Sequence, residues 1–283
     1  MGKLIETLQR VGKSSGGGIG FLGRNQTQTK PKALGMLVAL SQADAGAVEA
    51  VAKAGADGVI FVVQNGKSVS KGLAVEAYQK AAEPLRAANR PWGLELSEVA
   101  ASLPADALKG IREGGADFVS FPLEAPARLL QERPEGLDRI ITLRGPRDEE
   151  NESYLRLVRS VNLLSVQVAH FLSNLTAERL RDLRIEELLN YRMVRELLRF
   201  PVLVNVGGNI GNEEARILVK LGVSAVIIQQ SEGESASALT QRVTALREEL
   251  ERVPAPGSED EDTPNVAFVP GSPARGEEPT RQR

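Results

Sequence analysis

From Leu34 onward the chain alternates short apolar runs with segments of helical spacing. The apolar runs are LGMLVALS (34–41), DGVIFVVQ (57–64), PWGLELS (91–97), DFVSFPLE (117–124), RIITLR (139–144), NLLSVQVAH (162–170), PVLVNVGG (201–208) and SAVIIQQ (224–230). Each has the length of a strand, and several are rich in Val and Ile, which suit a pleated sheet. Between them, AGAVEAVAKAG (45–55), ADALKGIREGG (105–115) and EEARILVKLG (213–222) end on glycine, the usual residue at a helix C-terminus. The endings repeat weakly as AGADGVIF, GGADFVSF and LGVSAVII, which is the helix-to-strand junction of a βα array. Eight such units predict an α/β protein, a closed (βα)8 barrel over residues 34–253. An open doubly wound sheet normally has fewer strands and a dinucleotide fingerprint after the first, whereas SQADAG follows strand 1 here.

Three segments stand outside this TIM barrel. Residues 1–33 read as a short amphipathic helix, a plug for the barrel bottom or a packing arm, followed by a Gly-rich linker. Within that linker GGGIGFLG has GxGxxG spacing, but no strand precedes it and no helix follows. Residues 254–283, rich in Pro, Gly and charge, predict a disordered tail. The long connection 173–200 holds two helical patterns, predicting an extra helix or lid between strands 6 and 7, or an outer helix for packing and homo-oligomer formation.

Composition narrows the chemistry. The 283 residues hold 35 Lys and Arg against 37 Asp and Glu, so no bulk attraction to nucleic acid or anionic membrane is expected. With no cysteine and one histidine, thiolate catalysis, disulfides and multi-histidine or Cys-ligated metal sites are excluded. No apolar run approaches the roughly 20 residues of a membrane span. The charged N-terminus lacks a secretory h-region, and a cytoplasmic protein is expected.

In a barrel of this kind an active site lies at the C-terminal strand ends, and alternation selects which side chains face the axis. On strand 3, bulky Trp92, Leu94 and Leu96 belong outside, so Gly93, Glu95 and Ser97 face inward. The same logic turns inward Ser120, Pro122 and Glu124, then Ile140, Thr142 and Arg144, then Ser165, Gln167 and Ala169, and finally Leu203, Asn205 and Gly207. Glu95, Thr142, Gln167 and Asn205 then form a polar belt with Glu124 and Arg144 at its rim, either a ligand site or a self-satisfied network such as a Glu95–Arg144 pair. Glu95 and Glu124 are the candidate acids or bases; Arg144, Gln167, Asn205 and Thr142 are candidate substrate contacts. His170 falls on the outward side of strand 6, as a packed histidine or, if the strand ends early, a base. Lys67 follows strand 2 in a loop that predicts solvation. Asp57 and Asp117, at strand starts, belong to the stability face.

VNVGGNIGNEEARILVKLGVSAVII, with Gly207, Gly208 and the LGVSAV entry to strand 8, resembles the strand 7 to strand 8 segment of the aldolase-type superfamily of phosphate- and FMN-binding barrels. The resemblance implies a phosphate cradle of Gly207, Gly208 and Asn209, completed after strand 8 by Ser231 and Gly233. That second loop departs from the pattern, reading Gln229-Gln230-Ser231-Glu232-Gly233-Glu234. Three functions follow as alternatives: a lyase or isomerase acting on a small phosphorylated or carboxylated metabolite; an FMN-dependent oxidoreductase with Gln167 near the flavin ring; or a non-catalytic barrel used for binding or assembly.

Overall fold

A computed structural model describes residues 2–11, 32–64, 75–144, 152–207 and 209–254. Its strands are β1 (Gly35–Leu40), β2 (Gly58–Val62), β3 (Trp92–Glu95), β4 (Phe118–Pro122), β5 (Asp138–Arg144), β6 (Val168–Thr176), β7 (Val202–Gly207) and β8 (Ala225–Gln229). Each pairs in parallel with the next, and β8 returns to β1 with Leu37 opposite Ile227, closing an eight-stranded barrel. The helices are α1 (Lys3–Arg10), α2 (Ala45–Lys53), α3 (Val75–Ala81), α4 (Glu83–Ala87), α5 (Ala107–Glu113), α6 (Glu152–Val161), α7 (Ala177–Arg181), α8 (Ile185–Leu197), α9 (Asn212–Lys220) and α10 (Ala236–Arg252). Among the described residues no helix is long and apolar enough to cross a membrane.

The glycine punctuation works as the repeat implies. Gly55, Gly115 and Gly222 adopt φ of 104°, 90° and 77°, a region other residues rarely enter, and each hands a helix over to a buried strand. One unit departs from the pattern. Between β4 and β5 the chain makes only a 3-10 turn, Ala127–Leu130, because Pro126 and Pro134 leave no room for a longer helix. Arginines seal the gap instead. Buried Arg139 donates to the Glu132 carbonyl at 3.2 Å, and Arg128 donates to the carbonyls of Ala101 and Leu103 at 2.7 and 3.0 Å.

Two apolar layers result. Trp92, Leu94, Phe121 and Phe171 pack between strands and helices, while Leu37, Ile60, Phe118, Ile140, Val168, Leu203 and Ile227 fill the barrel itself. Gly93 faces inward because the Phe118 ring already occupies the space a Cβ would take. The inner layer continues into Leu4, Ile5 and Leu8 of α1, so the N-terminal helix plugs the bottom of the barrel. Asp138, at the start of β5, receives it: its Oδ2 accepts the Ile5 N–H at 3.0 Å, a carboxylate at the positive end of the helix. Leu4→Ala should cost about 2–5 kcal/mol. Asp138→Ala should release α1 locally, which hydrogen–deuterium exchange would register as lost protection in residues 3–10 while β1 to β8 remain protected.

Between β6 and β7, β6 runs on to Thr176, whose hydroxyl caps α7 by accepting the Arg179 N–H at 3.2 Å, and α8 follows. Helix α8 leaves Ile185, Leu189 and Met193 exposed along one stripe. Residues 12–31, which hold most of the Gly-rich linker, Lys67, and residues 255–283, all of the tail but its first residue, lie outside the described residues.

Candidate functional site

The C-terminal strand ends enclose a cavity of about 260 Å³. Its floor and walls are apolar, with Ala39, Ile60, Val62, Leu172 and Ile227. Its polar groups are Glu95, Ser97, Glu98, His170, Asn205 and Gln229. Glu95 ends β3 and points inward because Trp92 and Leu94 take the outer layer. Its Oε1 accepts the Ser97 hydroxyl at 3.1 Å. Burial pushes the Glu95 carboxyl above the ordinary range; the Ser97 hydrogen bond opposes that, and the nearby Glu98 charge adds to it.

Across the cavity, His170 Nε2 lies 2.9 Å from Asn205 Oδ1. An amide oxygen only accepts, so Nε2 carries the proton. Burial without a charged partner lowers the imidazole to about 4, although the Asn205 contact pulls the other way. The ring is therefore neutral at physiological pH. Its NMR shifts should stay constant from about pH 5 to 8, the range in which an ordinary histidine titrates. Movement across that range would mean that the ring is solvated or ion-paired.

Strand 6 faces the opposite way from the alternation expected of it. Val168, His170 and Leu172 face the axis, while Ala169 and Phe171 lie in the outer layer. Gln167 precedes the strand at the opposite end of the barrel, where its side-chain oxygen accepts the Arg139 N–H at 2.8 Å. It cannot stand beside a flavin or a substrate at the mouth. Strand 4 stops at Pro122, which leaves Glu124 in an exposed turn rather than pointing inward. Thr142 does face inward but is buried against Ser120, hydroxyl to hydroxyl at 3.0 Å, and does not line the cavity. Arg144 ends β5 exposed, and no ion pair joins it to Glu95 among the described residues. Of the candidates, then, the fold gathers Glu95, His170 and Asn205 around one cavity. It also brings in Ser97, which alternation turns inward, and adds Glu98, just past β3, and Gln229, the last residue of β8.

Gly208 lies outside the described residues. Gly207 is crowded: a Cβ there would stand 2.6 Å from Asn174 Oδ1. Asn174 reaches this place through a β6 irregularity that shifts the register against β7 between Phe171 and Asn174. Asn209 and Ser231 are exposed, and Gly233 takes φ of 75° in a tight turn. The N–H of Ser231 donates to Glu234 Oε2 at 2.9 Å, and Arg242 donates to the same oxygen at 2.8 Å. After β7, the Gly211 N–H donates to Glu214 Oε2 at 2.8 Å, and Arg181 ion-pairs with the other carboxylate oxygen.

No protein-family model matches the chain, and no curated protein matches it either. Solved structures match in shape. A variant tryptophan synthase α-subunit from Pyrococcus furiosus aligns with a TM-score of 0.56 at 12% identity, over 78% of this chain and 100% of its own. Phosphoribosylanthranilate isomerase from Thermotoga maritima gives 0.53 at 12% identity, over 78% and 100%. KGPDC from Streptococcus mutans gives 0.53 at 14% identity, over 78% and 99%. The fold they share with this chain is the (βα)8 TIM barrel. At such identities the likeness is one of fold, and function has to be argued from the mouth itself.

Proposed function

We propose that this barrel is an enzyme moving a proton on a small metabolite held in its mouth, a lyase or isomerase step in which Glu95 is the acid–base group. The observation that carries the reading is the inward-facing Glu95, its carboxyl raised by burial, in a cavity where it stands across from the His170–Asn205 pair. A carboxyl held above its ordinary value is a better base when ionised and exchanges protons closer to neutral pH. Glu95 would take a proton from substrate carbon and return it to a neighbouring atom, leaving the enzyme unchanged. The neutral His170–Asn205 pair offers a fixed polar edge opposite, suited to orienting a carbonyl or hydroxyl without competing for the proton.

A thermal-shift panel of small metabolites tests occupancy. Wild-type protein should be stabilised by at least one panel member, by about 2.7 kcal/mol at one hundred times its Kd. Ala39→Leu, which fills the cavity floor, should lose that response. Equal stabilisation of the variant would place the ligand elsewhere and remove the proposal.

A further inference from the structure

Whatever the mouth binds, the loops after β7 and β8 are where a barrel of this shape usually offers backbone N–H groups to a phosphate. Here one backbone donor in each loop, the Gly211 N–H after β7 and the Ser231 N–H after β8, is already taken by a carboxylate of the chain itself. Glu234, with 12% of its side chain exposed, accepts the Ser231 N–H and is clamped by Arg242, which also donates to the Gln229 carbonyl at 2.8 Å. Glu214, with 2% of its side chain exposed, accepts the Gly211 N–H at the first turn of α9 and is clamped by Arg181 of α7. Burial works against the Glu214 charge, yet the Arg181 and backbone bonds outweigh it and hold the carboxyl below its ordinary value. Each loop therefore carries a built-in anion with an arginine counter-ion, the two groups an incoming phosphate would have to separate.

We infer that the metabolite bound at the mouth carries no phosphate, because Glu234 and Glu214 each set an arginine-paired carboxylate on a backbone N–H of the two loops. This rests on the proposed mouth site. It assigns the ligand as a small molecule without a phosphate group. Its polar groups face Glu95, Asn205 and Gln229, and its carbon skeleton lies on Ile60, Val62 and Ile227. Phosphate discrimination then follows from repulsion as well as from the engaged Gly211 and Ser231 donors. A dianion approaching Ser231 meets a carboxylate whose attraction to Arg242 it would have to replace.

The test titrates inorganic phosphate against wild-type protein and Glu234→Ala, with sodium chloride at matched ionic strength as control. Wild-type melting temperature should not respond to phosphate. Glu234→Ala should melt lower without phosphate and recover by about 2–4 °C, saturably, as phosphate fills the vacated place. Glu234→Ala combined with Arg242→Ala should lose that recovery. Should the alanine variant fail to fold, Glu234→Gln keeps an acceptor, removes the charge and should show a smaller recovery. Saturable stabilisation of wild-type protein by phosphate, or a folded single variant, Glu234→Ala or in its place Glu234→Gln, that gains none, would overturn the inference. Matched metabolite pairs separate it from the mouth reading. Stabilisation only by the member without phosphate supports both, whereas stabilisation by the phosphorylated member refutes this inference alone. If neither member of any pair stabilises the protein, the mouth reading fails, and the phosphate titration still decides whether the loops are filled.

Discussion

Glu95→Gln should lower turnover by about 10²–10⁴-fold, the usual contribution of a positioned acid or base, while leaving ligand binding largely intact. The same change should leave the protein as stable or more so. Burial raises the folded-state value of Glu95, so at neutral pH its ionised form is disfavoured in the folded chain relative to the unfolded one. That penalty disappears as pH falls through the raised folded value, where the carboxyl is protonated and neutral. The melting temperature of Glu95→Gln should therefore equal or exceed wild type by up to about 2–4 °C at pH 7. The difference should shrink on acidification towards the unfolded value of about 4.3. Calorimetry at two pH values, with turnover measured in parallel, checks both halves. A variant that is destabilised at pH 7 and fully active would mean that Glu95 is a structural hydrogen-bonding group.

The largest loss of stability is expected far from the mouth. Asp57 precedes β2 at the barrel bottom. It accepts the Met36 N–H at 2.9 Å and ion-pairs with Lys32 and Arg247, each at 2.6 Å. Arg247 comes from α10 and is 6% exposed; it also donates to the Gly55 carbonyl, so one buried cluster ties the last helix to the first two strands. Asp57→Ala would strand the Arg247 guanidinium without its counter-ion, at a cost of about 3–5 kcal/mol. Burial pushes the Asp57 carboxyl up, but Arg247, Lys32 and the Met36 N–H outweigh it and hold the value below the ordinary one. The stabilisation is thus present above the unfolded value of about 3.9 and is lost as pH falls through the depressed folded value. Denaturant unfolding of wild type and Asp57→Ala should differ strongly at pH 7 and converge in acid. A gap independent of pH would point to packing rather than charge.

The strands could be read from the sequence because a parallel barrel strand is buried on both faces and reads as an unbroken apolar run closed by a glycine turn. The same double burial hides which way a strand faces. On strand 3 the bulk of Trp92 and Leu94 resolved it and placed Glu95 correctly inside. On strand 6 both phases carry polar residues, Ser165 and Gln167 in one and His170 in the other, and the sequence does not reveal that Gln167 is consumed by the Arg139 backbone below the strand. The shift between Phe171 and Asn174 leaves no compositional trace either. The loop glutamates could be counted, but which N–H each one takes depends on Arg181 and Arg242, which lie 33 and 8 positions away in the chain from the residues they clamp.

Proton transfer at Glu95 is tested most directly by solvent isotope exchange. A ligand that stabilises the wild-type protein would be incubated with it in deuterium oxide and followed by proton NMR. The account predicts that one carbon-bound proton of that ligand is replaced by deuterium, and that Glu95→Gln abolishes the exchange while still binding. A ligand that binds the wild-type mouth and keeps every carbon-bound proton would contradict it, and the barrel would then be a binding protein.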